Sequence, residues 1–341
     1  MSGLARALGV VAMMAACHGE AQVLGFDDLA GWAADDHQQA LRSFAETCDL
    51  IDGQEWAPLC KLAPAALDDK TSARQFFELF FRPVMIGAPP ALFTGYYEPE
   101  LAGSTVRTPR FAYPIYRMPP ELVPGTVWFS REEIEGRGLL RGRGLEIAWL
   151  DDPVEVYFLM VQGSGRIRLP DGSVVRVGYA GKNGQPYKSI GQELIRRGTH
   201  RMEDVSAQEI RSWVRANPVA GAALLNENPS FVFFRPIKGL PADKGPIGAM
   251  TRSLTPLRSV AVDPAWTPLG APVWVEKGGA DPWQRLMIAQ DTGGAITGAQ
   301  RADIFYGTGA EAGEAAGRIR DGGRMIVLLP IEEAFALLPG G

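Results

Sequence analysis

Asp291 and Asp303 stand at the two ends of the stretch DTGGAITGAQRAD, and of all the side chains in this sequence they are the best suited to moving a proton. An apolar run ends on Asp291, and Ile304 and Phe305 follow Asp303. Between the acids lie Gly293, Gly294 and Gly298, glycines that let a backbone approach a ligand closely. Two readings fit the pattern. The stretch is either a tight hairpin with solvated acids or a loop that holds carboxylates at the rim of a cleft. An acid at a strand start also bonds loop amides for structural reasons alone, so the pattern by itself leaves both open.

Other chemistries are poorly served. The chain has 3 histidines, and His18, His37 and His200 are too scattered for a zinc set, with no cysteine cluster to compensate. A Ser–His–Asp triad would have to rest on His37 or His200, and Gly163-Ser164-Gly165 lacks the outer glycines of a nucleophile elbow. No phosphate-binding loop or dinucleotide fingerprint occurs. Asp291-Thr292-Gly293 matches half of an aspartic-protease dyad, but such enzymes need two such aspartates sharing a proton, and the sequence holds one. A carboxylate acid remains. Glycosidic chemistry usually takes a carboxylate pair, and one acid suffices where the sugar supplies its own nucleophile. We therefore expect neither metal nor cofactor.

The frame that must position these acids is β-rich. Forty glycines and 26 prolines are spread over 341 residues, which favours short strands and turns over long helices. A net charge of −5 argues against a nucleic-acid partner. At the N-terminus, Arg6 precedes the apolar run Ala7–Ala16, the layout of a secretory signal. Ala15-Ala16-Cys17 resembles a lipobox, which would lipidate Cys17, but Met14 stands where leucine is usual, so cleavage after Ala21 stays open as well. Export would leave Cys48 and Cys60 as an even pair, read either as one disulfide or as two buried thiols.

Along the chain, Asp36–Cys48 has helical spacing with Asp35 or Asp36 as cap, and a second helix is expected from a Thr71/Ser72 cap to near Pro83. From Leu92 the texture changes to strand-like runs, among them LFTGYYEP, EIAWL, VEVYFLMV, RIRLP and SVVRVGY, with Pro170–Ser173 as a hairpin turn. Helices are expected around 189–197, 207–216 and 310–319, and strands in SFVFFRP, RSVAVDP, PVWVE, RLMIAQD and MIVLLP. This alternation fits two domains, with barrels or sandwiches as the usual way to close so many edges.

Longer motifs point to a family. FTGYYEPEL (93–101), YPIYRMP (113–119), VYFLMVQGSGRIRLPDG (156–172), RVGYAGKNGQPYKSIG (176–191), NPSFVFFR (228–235), SVAVDP, TPLGAPVWVE and AQDTGGAITGAQRADIFYGTGAEAG together resemble the membrane-bound lytic murein transglycosylase A family over nearly the whole mature chain. The resemblance implies a mainly β protein with flanking helices. A double-psi β-barrel domain with N-terminal helices would span 22–106 and 239–341 after a signal at 1–21. A β-rich substrate-binding domain would be inserted at 107–238, with the substrate groove between the two. It further implies cleavage of the β-1,4 bond between N-acetylmuramic acid and N-acetylglucosamine in peptidoglycan, ending in a 1,6-anhydromuramyl ring. Asp303 takes the place of the catalytic acid and base, and Asp291 that of the nearby acid. Thr94, Gly95, Tyr96, Tyr97, Gln162, Ser164, Lys188, Ser189, Gly293 and Gly294 are the expected sugar contacts, although half-buried strand tyrosines and a solvated Lys188 fit the residues equally well. The implied setting is the periplasm, with an outer-membrane anchor if Cys17 is lipidated. Glycan strands would be the partner, alongside penicillin-binding proteins or other cell-wall enzymes. A barwin-like module that binds polysaccharide without cutting it is the competing reading.

Overall fold

The computed structural model describes residues 21–337, so Cys17 and all of the expected signal but Ala21 lie outside the described residues. Strand β1 (Ala21–Val23) leads into helices α1 (His37–Thr47), α2 (Trp56–Leu62) and α3 (Lys70–Phe80). Asp36 caps α1 by accepting the Gln39 N–H. The cap of α3 is Asp69, which takes the N–H groups of Thr71 and Ser72, so the helix starts earlier than a Thr71/Ser72 cap would place it. An acid one turn earlier satisfies two orphan donors at once, which outcompetes a hydroxyl. Strands β2 (Phe81–Ile86), β3 (Ala91–Glu98), β4 (Glu100–Ser104) and β5 (Tyr113–Tyr116) follow, then α4 (Arg131–Gly136), β6 (Glu146–Leu150), α5 (Pro153–Gln162), β7 (Gly165–Arg168) and β8 (Val174–Lys182). Helices α6 (Ile190–Arg196), α7 (Ala207–Ala216) and α8 (Pro218–Asn226) precede β9 (Val232–Ile237). The chain ends in β10 (Ser259–Val262), β11 (Pro272–Lys277), β12 (Trp283–Asp291), β13 (Arg301–Thr308), α9 (Ala310–Gly317), β14 (Arg320–Pro330) and α10 (Ile331–Ala336). Among the described residues no helix is long and apolar enough to cross a membrane.

These elements form two compact units. The first holds residues up to Gly95, then Ile247–Tyr306 and the segment from Ile319 onward; the second holds Tyr96–Pro246 and Gly307–Arg318. The first is therefore built from both ends of the chain, and α9 belongs with the second, a return that sequence texture does not reveal.

In the first unit the strands run β1-β2-β14-β11-β12-β10-β13-β3, and β14 also pairs with β3, so the order returns on itself. Period-2 alternation sorts the side chains. Val273, Val275, Met287, Ala289, Ala302 and Ile304 face one core with Phe93. Trp274, Leu286 and Ile288 face the other, where α1, α2 and α3 bring Leu41, Phe44, Trp56, Phe76 and Phe77. Cys48 and Cys60 are joined by a disulfide that ties the end of α1 to α2, with Cα atoms 5.4 Å apart.

The second unit is a sheet in the order β5-β6-β4-β7-β8-β9. Pro170–Ser173 is the expected hairpin turn, with Arg168 opposite Val174. VEVYFLMV is a helix, α5, rather than the expected strand. Val156, Leu159 and Met160 face one core while Val154, Tyr157 and Phe158 face another, so only Glu155 and Gln162 mark a narrow polar stripe and the 3.6-residue period is obscured. Its caps decide the matter: Asp152 accepts the Val154 N–H, Pro153 takes the first turn, and Gly163 closes the end at φ 78°.

Candidate active site

The alternation that sends Phe93, Ala302 and Ile304 into the core turns Thr94, Arg301 and Asp303 to the opposite face of adjacent strands. There the three side chains meet. The Thr94 hydroxyl donates to Asp303 Oδ1 at 2.6 Å. Arg301 Nη2 donates to Thr94 Oγ1 at 2.8 Å. The same guanidinium donates through Nη1 to the carbonyls of Ala302 at 2.6 Å and Leu92 at 3.3 Å, which fixes its plane. Burial pushes the Asp303 carboxyl above its ordinary value; the Thr94 hydrogen bond and the Arg301 charge pull it back only in part. A carboxyl in this state keeps its proton to higher pH than a surface acid, as a general acid must.

Asp291 ends β12, and its Oδ1 accepts the Ala249 N–H at 3.0 Å. Ala261 of β10 pairs with Asp291 on one side and with Asp303 on the other. Two strand spacings, roughly 10 Å, therefore separate the two backbone positions. Desolvation, not the Asp291 charge, is what raises the Asp303 carboxyl. Gly293 and Gly294 are exposed in the turn after β12. A Cβ on Gly293 would stand 2.8 Å from the Ile296 side chain, so the turn needs its glycine.

The remaining expected contacts belong to the second unit, apart from Gly95, which ends the first. Tyr96 is buried and Tyr97 half-buried. The Tyr97 N–H donates to Gln162 Oε1 at 2.9 Å, and Arg211 donates to its hydroxyl at 3.4 Å. Its ring lies where a Cβ on Gly313 of α9 would come within 2.7 Å. Ser164 is buried directly after α5. Lys188 is exposed and paired with Glu227 at 2.7 Å, and Ser189 caps α6 by accepting the Gln192 N–H. The structure thus joins Thr94 to Asp303 and Gln162 to Tyr97, and it gives Lys188 and Ser189 partners of their own.

Two functional-looking groups escaped the sequence reading. Arg301 lies two residues before Asp303 on the same strand, and period-2 spacing was the signal that places both on one face. Glu98, inside FTGYYEPEL, is the buried hub of the second unit. It accepts from Arg166 at 2.8 Å, Arg176 at 2.8 Å and the Thr308 hydroxyl at 2.9 Å. Among the described residues no group of three His, Cys, Asp or Glu side chains is arranged to hold a metal ion.

Comparisons with known proteins place the chain in a family. Residues 92–235 match the model of the MltA specific insert domain, and residues 258–329 match the 3D domain. The membrane-bound lytic murein transglycosylase A of Escherichia coli K12 is 41% identical over 248 residues, 69% of this chain and 65% of that protein. The Vibrio cholerae protein of the same name is 37% identical over 264 residues, 73% of this chain and 69% of that one. The chain thus spans about two thirds of the length of these relatives. A membrane-bound lytic murein transglycosylase structure from Agrobacterium tumefaciens superposes with TM-score 0.84 at 34% identity, covering 93% of this chain and 99% of that one. The structure of E. coli MltA with bound chitohexaose superposes with TM-score 0.70 at 34% identity, covering 85% and 90%. Insert-domain and 3D-domain matches, identities across the bulk of the chain and a shared fold converge on one statement: this chain belongs to the membrane-bound lytic murein transglycosylase A family.

Proposed function

We propose that the protein is a peptidoglycan lytic transglycosylase that cuts the β-1,4 bond between N-acetylmuramic acid and N-acetylglucosamine, with Asp303 as its acid and then its base. The observation that carries the reading is the half-buried Asp303 carboxyl, held by one neutral hydroxyl at 2.6 Å and raised above its ordinary value by desolvation. Family membership supplies the substrate class, and the relative with bound chitohexaose supports a glycan ligand.

Protonated Asp303 gives its proton to the departing glycosidic oxygen as the bond to muramyl C1 breaks. The carboxylate left behind takes the proton of the muramyl C6 hydroxyl while that oxygen closes onto C1. Asp303 ends protonated again, water is not consumed, and the product carries a 1,6-anhydro ring. A nucleophile tethered to the reacting ring needs no second carboxylate to deliver it. Asp291 shapes the turn beside the acid. Gly293, Gly294, Tyr97 and Gln162 are the sugar contacts in this reading, while a sugar at Lys188 would compete with Glu227. An envelope location, with anchoring through Cys17, completes it.

Digestion of purified sacculi followed by mass spectrometry of the released muropeptides tests the proposal. The expected products are anhydromuropeptides, one water lighter than their reducing counterparts, and chelator leaves the yield unchanged. Reducing-end muramic acid as the main product would make the protein a hydrolase. Glycan binding without release would make it a binding module.

A further inference from the structure

Thr94 was expected to touch sugar, yet its hydroxyl lies on the acid. We infer that Arg301 is a positioning residue: through Thr94 it assigns Asp303 Oδ1 to accept a hydrogen bond and leaves Oδ2 to carry the transferable proton. The inference rests on the transglycosylase reading only for the reaction that uses this proton.

The geometry favours one arrangement of hydrogens. Thr94 Oγ1 receives an N–H from Arg301 at 2.8 Å, so its own single proton is free to point at Asp303 Oδ1, 2.6 Å away. Were Oδ1 protonated instead, Oγ1 would face two donors, and the threonine proton would have to leave the Asp303 side altogether. A guanidinium cannot reverse its role, because it has donors only. Anchored on the carbonyls of Ala302 and Leu92, Arg301 cannot rotate away without losing those bonds too. The carboxyl oxygen that takes the Thr94 bond is therefore fixed before substrate arrives. After proton transfer the same relay faces the new carboxylate with a hydroxyl dipole, with a cation behind it.

The charged groups around Asp303 on the packed strands are few. β13 brings Arg301; β14 brings Arg320, opposite Thr94 in register, which acts on Arg301. β10 contributes the uncharged Ala261, and Asp291 lies beyond it at the end of β12. Arg301 and Thr94 both pull the Asp303 carboxyl down against burial. Removing either must let it titrate at higher pH.

The experiment titrates ¹³C-labelled aspartate by NMR in the full chain, with Asp303→Asn identifying the Asp303 signal, and measures sacculus digestion against pH in parallel. Arg301→Met and Thr94→Val are each expected to move the Asp303 midpoint and the alkaline limb of activity to higher pH. Each is expected to lower kcat about 10- to 100-fold with KM little changed, as misorientation of an acid does. Thr94→Ser keeps the hydroxyl and restores both readouts. An Asp303 midpoint that stays in place in both Arg301→Met and Thr94→Val would overturn the inference; if one variant does not fold, the other decides. If wild-type protein releases nothing from sacculi, the transglycosylase reading falls, while the titration still judges the positioning role.

Discussion

Asp303 in the first unit is half-buried and Glu98 in the second is buried, and the two carboxylates are surrounded in opposite ways. Glu98 is 1% exposed and meets two guanidiniums directly, with a hydroxyl as third partner. Its arginines in turn hold the carbonyls of Pro241, Ala242 and Lys244. Every charge in that cluster has a partner, so the cluster fixes the chain. Asp303 touches a neutral hydroxyl, and its arginine stands one residue removed. Burial then dominates, and the carboxyl is raised. The lesson is that burial alone does not make an acid; the charge of what touches it decides whether the group builds structure or moves a proton.

The strongest way to break the contrast is Asp303→Asn. Its amide oxygen still accepts from Thr94, but it has no proton to give, and loss of a general acid costs about 10²- to 10⁴-fold in turnover. Anhydromuropeptide release measures it. The sign of the stability effect follows from the raised carboxyl. Wild type is fully stabilised below the ordinary carboxylate value and loses that contribution as pH rises through the raised one. The variant should match wild type within about 1 kcal/mol in acid and gain on it toward neutral pH, in melts taken across that range.

Glu98→Gln attacks the other side. The buried Arg176 and the half-buried Arg166 would lose their counter-charge, a change that costs about 3–5 kcal/mol where such pairs are fully buried. Urea melts should show that loss in the second unit, with Asp303 still titrating high in whatever fraction stays folded. Reducing the Cys48–Cys60 bond removes a constraint that touches neither carboxylate's hydrogen-bond partners. It is expected to cost about 2–4 kcal/mol through the short loop it closes, and reduction should lower the melting temperature without changing the products. The smallest effect is expected of Asp291→Asn. Its amide oxygen still accepts the Ala249 N–H, so turnover should fall by about tenfold or less, a change worth about 1.4 kcal/mol. A loss as deep as that of Asp303→Asn would make the pair, not Asp303 alone, the proton-transfer unit.

Much of this protein follows from residue order alone. The α1 cap at Asp36, the Pro170–Ser173 hairpin and the strands that alternate core and solvent are local consequences of period and turn chemistry. The family motifs likewise marked Asp303. Other features had no local signature. α5 is apolar over most of its circumference because two cores claim it, so its period was hidden until both cores existed. Cys48 and Cys60 lie near one another in sequence, but two helices had to pack to bring their Cα atoms to 5.4 Å. Thr94 and Asp303 are 209 residues apart, and no spacing rule relates them. Only the pairing of β3 with β13 puts that hydroxyl on that carboxyl, with Arg301 behind it, and only burial among the neighbours so assembled raises the acid. The sequence by itself marked the candidate acids Asp291 and Asp303, because side-chain type is a local property. Tertiary structure decided their ionisation and direction, because desolvation and hydrogen-bond partners come from residues distant along the chain.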